Sequence, residues 1–171
     1  MRKNEARSLA ISLRRNINKN EISEMIIDDI IKSNILTKYN RIGIYYPIGK
    51  EIDIMNLMNH YIDKSFYLPI TRNDNIDFIE YKLGDKLIDG LFNTKEPVGD
   101  IVLRDEIECF IIPCVAISKD NKRVGYGKGY YDRYLKDYKG LKIGICYENS
   151  SNMDIIMDEF DVLLDTKFIG W

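Results

Sequence analysis

The chain has 171 residues, 45% of them hydrophobic and 30% charged, with a formal net charge of −2. That length fits one domain over residues 1–171 with a core of its own, and the composition reads as a soluble globular protein expected in the cytoplasm. The near-neutral charge provides no global field to draw nucleic acid, and no apolar run reaches the roughly 18 residues a membrane helix needs.

Residues 2–17 read as a helix whose apolar stripe is Leu9, Leu13 and Ile17. Its charged start has no apolar stretch behind it, so it is not a secretory signal. Residues 21–33 read as a second helix with Ile22, Met25, Ile26 and Ile30 inward. Arg41–Tyr46 reads as a strand ending at Pro47, followed by a loop at Gly49-Lys50-Glu51. Asp53 is placed to cap a helix that presents Ile54, Leu57, Met58 and Tyr61. Ser65–Leu68 reads as a short strand closed by Pro69, and residues 76–82 alternate like an edge strand or hairpin arm. Residues 84–106 look irregular, with a turn at Glu96-Pro97-Val98-Gly99.

Phe110–Ile117 is a continuous apolar run, as in a central strand buried on both faces, with regular pairing expected to end at Pro113. A turn at Asp120-Asn121 leads into Arg123-Val-Gly-Tyr-Gly-Lys-Gly-Tyr-Tyr-Asp132. Helical spacing follows at Tyr131, Tyr134, Leu135 and Tyr138. Lys142–Tyr147 reads as a buried strand, Met153–Glu159 as a short helix and Val162–Ile169 as a last strand. Alternating strands and helices predict an α/β sheet covered on both faces. In such sheets ligands gather beyond the carboxyl ends of the strands, which nominates the loops 46–53 and 121–129.

The 123–132 segment is the one with visible chemistry. Glycines at 125, 127 and 129 let backbone N–H groups approach an anion, while Arg123 and Lys128 supply charge for phosphate oxygens. A helix start behind the loop would add orphan N–H groups. Asp132 is a candidate Mg²⁺ ligand beside such a site. The string is neither a Walker loop, since Gly129 follows Lys128, nor a dinucleotide fingerprint, since Tyr130 replaces the third glycine. Taken alone, a glycine-rich stretch of this kind is also what a tight strand–helix turn looks like. The cysteines, Cys109, Cys114 and Cys146, lack metal-ligand spacing and read as buried reduced thiols. With His60 the single histidine, a Ser–His–Asp or Cys–His mechanism is not supported.

These motifs resemble the 5-formyltetrahydrofolate cyclo-ligase family, also called 5,10-methenyltetrahydrofolate synthetases, nearly end to end. The family string Arg-Leu-Gly-x-Gly-x-Gly-Tyr-Tyr-Asp is followed here from Arg123 to Asp132 with Val124 for Leu. Lys3 and Arg7 match a family Lys and Arg four apart, Glu51 a glutamate after the first strand, and Glu96-Pro97 a Glu-Pro pair. Asp161 and Asp165 match a tail in which Phe160 replaces a usual His. Cys114 and Asn121 stand where the family has Gly, and Ser118 where it has Asp; Asn tolerates the left-handed backbone a turn there needs.

The resemblance implies a three-layer α/β/α sandwich around a mostly parallel sheet. It also implies an ATP- and Mg²⁺-dependent closure of 5-formyltetrahydrofolate to 5,10-methenyltetrahydrofolate by a monomer that binds neither nucleic acid nor membrane. On the same footing, ATP would contact Lys3, Arg7, Arg123, Gly125, Tyr126, Gly127, Lys128, Gly129, Tyr130 and Tyr131. Lys128 and Arg123 would act in catalysis. The folate would meet Tyr46, Glu51, Phe92 and Tyr131, and Mg²⁺ would sit on Asp132 and Asp161. A sugar-phosphate isomerase or transferase, and a non-enzymatic folate-binding protein, are the rival readings.

Overall fold

The computed structural model describes residues 1–170. Helix α1 (Lys3–Leu13) opens the chain, with the Arg2 N–H donating to the Glu5 carboxylate at 2.9 Å to satisfy its first turn. The expected apolar stripe is not its buried face. Leu9 and Leu13 are 42% and 41% exposed, while Ala6 and Ala10 are fully buried. Two alanines let the helix lie close against Val115, Ala116 and Val124. That rotation sends the Lys3, Arg7 and Arg14 edge of α1 toward the interior. Helix α2 (Lys19–Ser33) matches expectation: the Asn18 side chain accepts the Glu21 N–H at 3.2 Å, and Asn34 ends the helix at φ 59°.

The chain then lays down β1 (Arg41–Gly43), the single turn α3 (Leu57–His60), and the hairpin of β2 (Ser65–Arg72) and β3 (Asn75–Tyr81). A small antiparallel pair follows, β4 (Leu87–Asp89) and β5 (Lys95–Pro97), then β6 (Ile101–Val102) and β7 (Cys109–Pro113). A second small pair is β8 (Ala116–Ile117) and β9 (Arg123–Val124). Helix α4 (Tyr130–Tyr134), β10 (Leu141–Tyr147) and β11 (Thr166–Gly170) complete the described chain. The main sheet has seven strands in the order β11-β10-β7-β1-β2-β3-β6. Neighbours from β11 to β2 are parallel, and β3 pairs antiparallel with both β2 and β6.

One face of the sheet packs on α2, with Ile26 and Ile30 against Ile42, Phe66 and Ile111. The other packs on α4 and the segment behind it, with Phe110, Ile112 and Cys146 against Tyr131, Leu135 and Leu164. Alternate residues of β7 therefore serve opposite cores, which is why its sequence is apolar without alternation. The result is a single-domain, three-layer sandwich around a mostly parallel sheet. From β1 the chain moves to β2 on one side and later returns to β7 on the other. The β1/β7 gap is thus the point where successive connections diverge, and it is there that a cleft opens.

Several element boundaries depart from the sequence reading. The strand expected over 41–46 stops at Gly43, because after Ile44 donates to Tyr67 C=O the chain leaves the sheet. Asp53 caps no helix; its Oδ1 accepts the Met55 N–H in a local turn. Strand β2 runs through Pro69 rather than ending there. The Pro69 nitrogen faces the side of β1, which has already ended, so no ladder bond is lost. Glu96-Pro97 lies in β5 rather than in a turn. As expected, regular pairing of the apolar run at 110–117 ends at Pro113; the end of the run pairs instead with β9. No helix forms over 153–159, where Met153 bridges Ser118 and Ile156 donates to Met1 C=O. The last strand begins only at Thr166. His60 is exposed at the end of α3. The three cysteines are buried and unpaired, and burial pushes the Cys109 and Cys114 thiols up to about 12 and about 11, so neither is a thiolate at neutral pH.

Candidate active site

The cleft has a volume of about 670 Å³ and is built from the loop after β1, the β4–β5 pair, the N-terminal end of α1 and the glycine loop after β9. Every residue nominated from the sequence lies on its wall. Tertiary folding brings positions 3 and 7 and positions 123–132 together because α1 lies across the β8–β9 pair.

The glycine loop is held from two directions. Arg7 Nε donates to Gly125 C=O at 2.6 Å, and a Cβ on Gly127, whose φ is +97°, would lie 3.4 Å from the Arg7 guanidinium carbon. A Cβ on Gly125 would come within 2.5 Å of Arg123 Nη1, so a side chain there would push the Arg123 guanidinium out of its place. Arg123 itself is buried below the loop. Its Nε donates to Pro113 C=O at 2.7 Å, and its guanidinium lies 4.6 Å from the centre of the Tyr131 ring. Helix α4 is only five residues long, so loop N–H groups and side-chain cations, rather than a long helix dipole, would face an anion. Arg123→Met is expected to lower the unfolding free energy by about 1–3 kcal/mol by stranding the Pro113 carbonyl. A denaturant midpoint checks this.

Lys128 stands apart from the other cations. It is exposed, makes no ion pair among the described residues, and its ammonium lies 5.6 Å from the centre of the Phe92 ring. Phe92 reaches across from the turn between β4 and β5, where it and Asn93 both adopt positive φ. That turn is tied down by Glu96, whose Oε2 accepts from the Thr71 N–H at 2.8 Å and from its hydroxyl at 3.0 Å. The Lys128–Phe92 contact therefore spans the mouth of the cleft.

At the far end, Glu51 is 7% exposed. Its Oε1 accepts the Ile48 N–H at 2.8 Å. Burial pushes its carboxyl up to about 7, against the opposing pull of that N–H and of Arg123, Arg14 and Lys19. Tyr46 is half-buried on the same wall, and burial raises the Tyr131 hydroxyl on the floor. The apolar walls and single buried carboxylate suit a flat heterocycle that presents N–H donors.

Asp132 and Asp161 line the opposite end. Asp132 is half-buried, and burial raises its pKa, with the like charge of Asp161 adding to the effect. Its Oδ1 accepts the Val162 N–H at 3.1 Å, which leaves Oδ2 for another partner. Both oxygens of Asp161 accept from Lys3 Nζ at 2.9 Å, and Asp158 accepts from it at 2.8 Å. Burial alone would lower the Lys3 pKa, but these hydrogen bonds outweigh it and raise it. No group of three metal-capable side chains occurs among the described residues. Asp132 Oδ2 has no partner among the described residues, whereas both oxygens of Asp161 are engaged by Lys3, so a divalent cation held by both carboxylates would have to displace the Lys3 ammonium. Asp165 is structural: its Oδ2 accepts the Lys142 N–H at 2.8 Å.

Sequence reasoning missed Arg14, Thr71 and the anchoring part of Glu96. Arg14 continues the Lys3–Arg7–Ala10 edge of α1, so that edge was the available signal. Nothing in the sequence pairs Thr71 with Glu96.

Residues 2–167 match the 5-formyltetrahydrofolate cyclo-ligase family. A 5-formyltetrahydrofolate cyclo-ligase from Mycoplasma genitalium is 31% identical over 170 residues, covering 95% of this chain and 94% of the relative. One from Mycoplasma pneumoniae is 34% identical over 130 residues, covering 72% and 69%. Among solved structures, the Aquifex aeolicus 5,10-methenyltetrahydrofolate synthetase aligns with a TM-score of 0.86 at 30% identity, covering 99% of this chain and 90% of its own. A 5,10-methenyltetrahydrofolate synthetase from Mycoplasma pneumoniae aligns with a TM-score of 0.79 at 29% identity, covering 98% of both chains.

Proposed function

We propose that this chain, which belongs to the 5-formyltetrahydrofolate cyclo-ligase family, converts 5-formyltetrahydrofolate to 5,10-methenyltetrahydrofolate at the expense of ATP. One observation carries the reading: a single cleft joins a cationic glycine loop to a flat apolar pocket floored by a buried carboxylate. Neither half alone would couple a phosphate donor to a heterocycle.

In this reading the formyl oxygen attacks the γ-phosphorus of ATP, and ADP leaves. N10 then adds to the activated carbon and closes the new ring, its proton is released, and the C–O bond breaks so that phosphate departs with the former formyl oxygen. Phosphoryl transfer asks mainly for positioning and charge neutralisation, which fits a cleft without histidine. Lys128, which makes no ion pair among the described residues and only faces the Phe92 ring, follows the transferring group and stabilises its charge. Lys3 and Arg7 approach the phosphates from α1, and the N–H groups of residues 125–130 approach them from the loop. Arg123 supports that loop from beneath, and Tyr126, Tyr130 and Tyr131 shape it. Glu51 accepts N–H donors of the pterin while Tyr46, Phe92 and Tyr131 enclose the ring. Asp132 and Asp161 would hold Mg²⁺, which when bound supplies neutralising charge to the phosphates.

The test is to mix the protein with 5-formyltetrahydrofolate and Mg²⁺, with and without ATP, and follow the near-ultraviolet absorbance of the methenyl product. An ATP-dependent rise is expected. Folate binding without a rise would make this a binding protein, and absence of folate binding would return the cleft to a phosphorylated sugar.

A further inference from the structure

Arg14 is 6% exposed, just beyond the C-terminal end of α1. One of its five donors is committed, with Nη2 donating to the Tyr126 hydroxyl at 2.5 Å. Its guanidinium also faces the Tyr126 ring at 5.8 Å. Behind the main cleft lies a cavity of about 10 Å³, roughly the size of one water, walled in part by Arg14, Glu51, Tyr45 and Tyr147. A buried cation thus touches the glycine loop on one side and shares a cavity with the deep carboxylate on the other.

We infer that Arg14 is a positioning residue of this cleft: it holds the glycine loop through Tyr126 and supplies, from behind, the buried positive charge that keeps Glu51 able to accept substrate N–H groups. The inference rests on the folate reading of Glu51 and adds a residue to it. The titratable and charged groups around Glu51 are Arg14 after α1, Lys19 on α2, Tyr45 after β1, Cys114 after β7, Arg123 on β9, Tyr126 in the loop, Tyr131 on α4 and Tyr147 on β10. Burial raises the four tyrosines and the thiol, so all five are neutral at pH 7. Charge compensation falls to three cations. All three act on Glu51, Arg123 the most, from the main cleft they share, with Arg14 on the wall of the rear cavity and Lys19 on α2. Of the three, Arg14 is the one that also grips the glycine loop through Tyr126.

The first readout needs no ligand. In protein carrying ¹³C-labelled glutamate, the Glu51 carboxyl is titrated by NMR in the unaltered chain, Arg14→Gln and Tyr126→Phe. Loss of Arg14 is expected to move the midpoint upward by roughly one unit, the low end of what an adjacent opposite charge does, whereas Tyr126→Phe retains the charge and the midpoint. Equilibrium binding of 5-formyltetrahydrofolate is the second readout. Arg14→Gln is expected to weaken it about fivefold at pH 7, with recovery at pH 9 where Glu51 is ionised again. A purely structural defect would not recover with pH. Arg14→Met, which keeps the volume of the stem, replaces Arg14→Gln if the latter does not fold. An unmoved Glu51 midpoint in either folded variant overturns the inference. If the unaltered chain binds no folate yet the midpoint shifts, the charge coupling stands and the proposed function falls.

Discussion

Lys128→Ala is expected to lower kcat by about 10²–10³-fold while leaving the unfolding midpoint nearly unchanged. The two halves of this expectation have separate physical origins. Lys128 is exposed and pairs with no carboxylate among the described residues. Its one contact across the mouth is the Phe92 ring, at a distance where an exposed cation–π pair contributes about 0.5–1 kcal/mol. Little folded-state energy is therefore lost with the side chain. In the transition state, by contrast, negative charge spreads over the transferring phosphoryl oxygens, and the ammonium is the cleft cation that no hydrogen bond or ion pair among the described residues holds in place. Lys3 is held by Asp161, Arg7 by Gly125 and Arg123 by Pro113. Single-turnover kinetics with saturating ATP and folate separate chemistry from binding. A variant with a normal chemical step would remove Lys128 from the mechanism, and a large loss of stability would mean that its contact across the cleft mouth had been undervalued.

Glu51→Gln is expected to weaken 5-formyltetrahydrofolate binding by about 10²-fold and to stabilise the unliganded protein at pH 8. The first effect follows from losing a charged acceptor for paired N–H donors, each charge-assisted bond contributing about 1.5–3 kcal/mol. The second follows from the sign of the pKa shift. In the unfolded chain Glu51 titrates near 4.5; in the folded chain burial raises it to about 7. Between those values the native state holds the extra proton, so the stabilisation from this group is complete below about 4.5 and is lost as pH rises through about 7. At pH 8 the ionised buried carboxylate costs on the order of 3 kcal/mol, which a neutral amide of the same shape relieves in large part. Folate affinity should run the other way, rising through pH 7 as the carboxylate forms. Thermal melts across pH 5–9, paired with folate titrations, check both limbs. Parallel losses of stability and affinity in Glu51→Gln would show that Glu51 is a packing residue and not a ligand held at a cost.

The glycine loop was legible because its chemistry is local. Three alternating glycines, two cations and an acid within ten residues leave few other uses, and the fold puts them on one wall. The family pattern added positions that composition could not, above all Lys3, Glu51 and Phe92. Element boundaries were less legible wherever neighbours decide them. Pro69 reads as a strand end and is a strand interior, because the strand on its nitrogen side has already stopped. Met153–Glu159 has helical spacing and forms no helix, with Met153 paired to Ser118 and Ile156 bonded to Met1 instead.

By itself the sequence determined the α/β class and the burial on both faces of the strand that opens the 110–117 run, since each depends on residue type and short-range spacing. Tertiary structure alone decided which face of α1 is buried. Leucines at 9 and 13 are the more hydrophobic choice, yet it is Ala6 and Ala10 that are buried, packed with Val115, Ala116 and Val124. That choice of face carries Lys3 and Arg7 to the loop and buries Arg14 behind Glu51. Close packing against a neighbour overrode hydrophobic rank, and no pattern within α1 records where that neighbour lies.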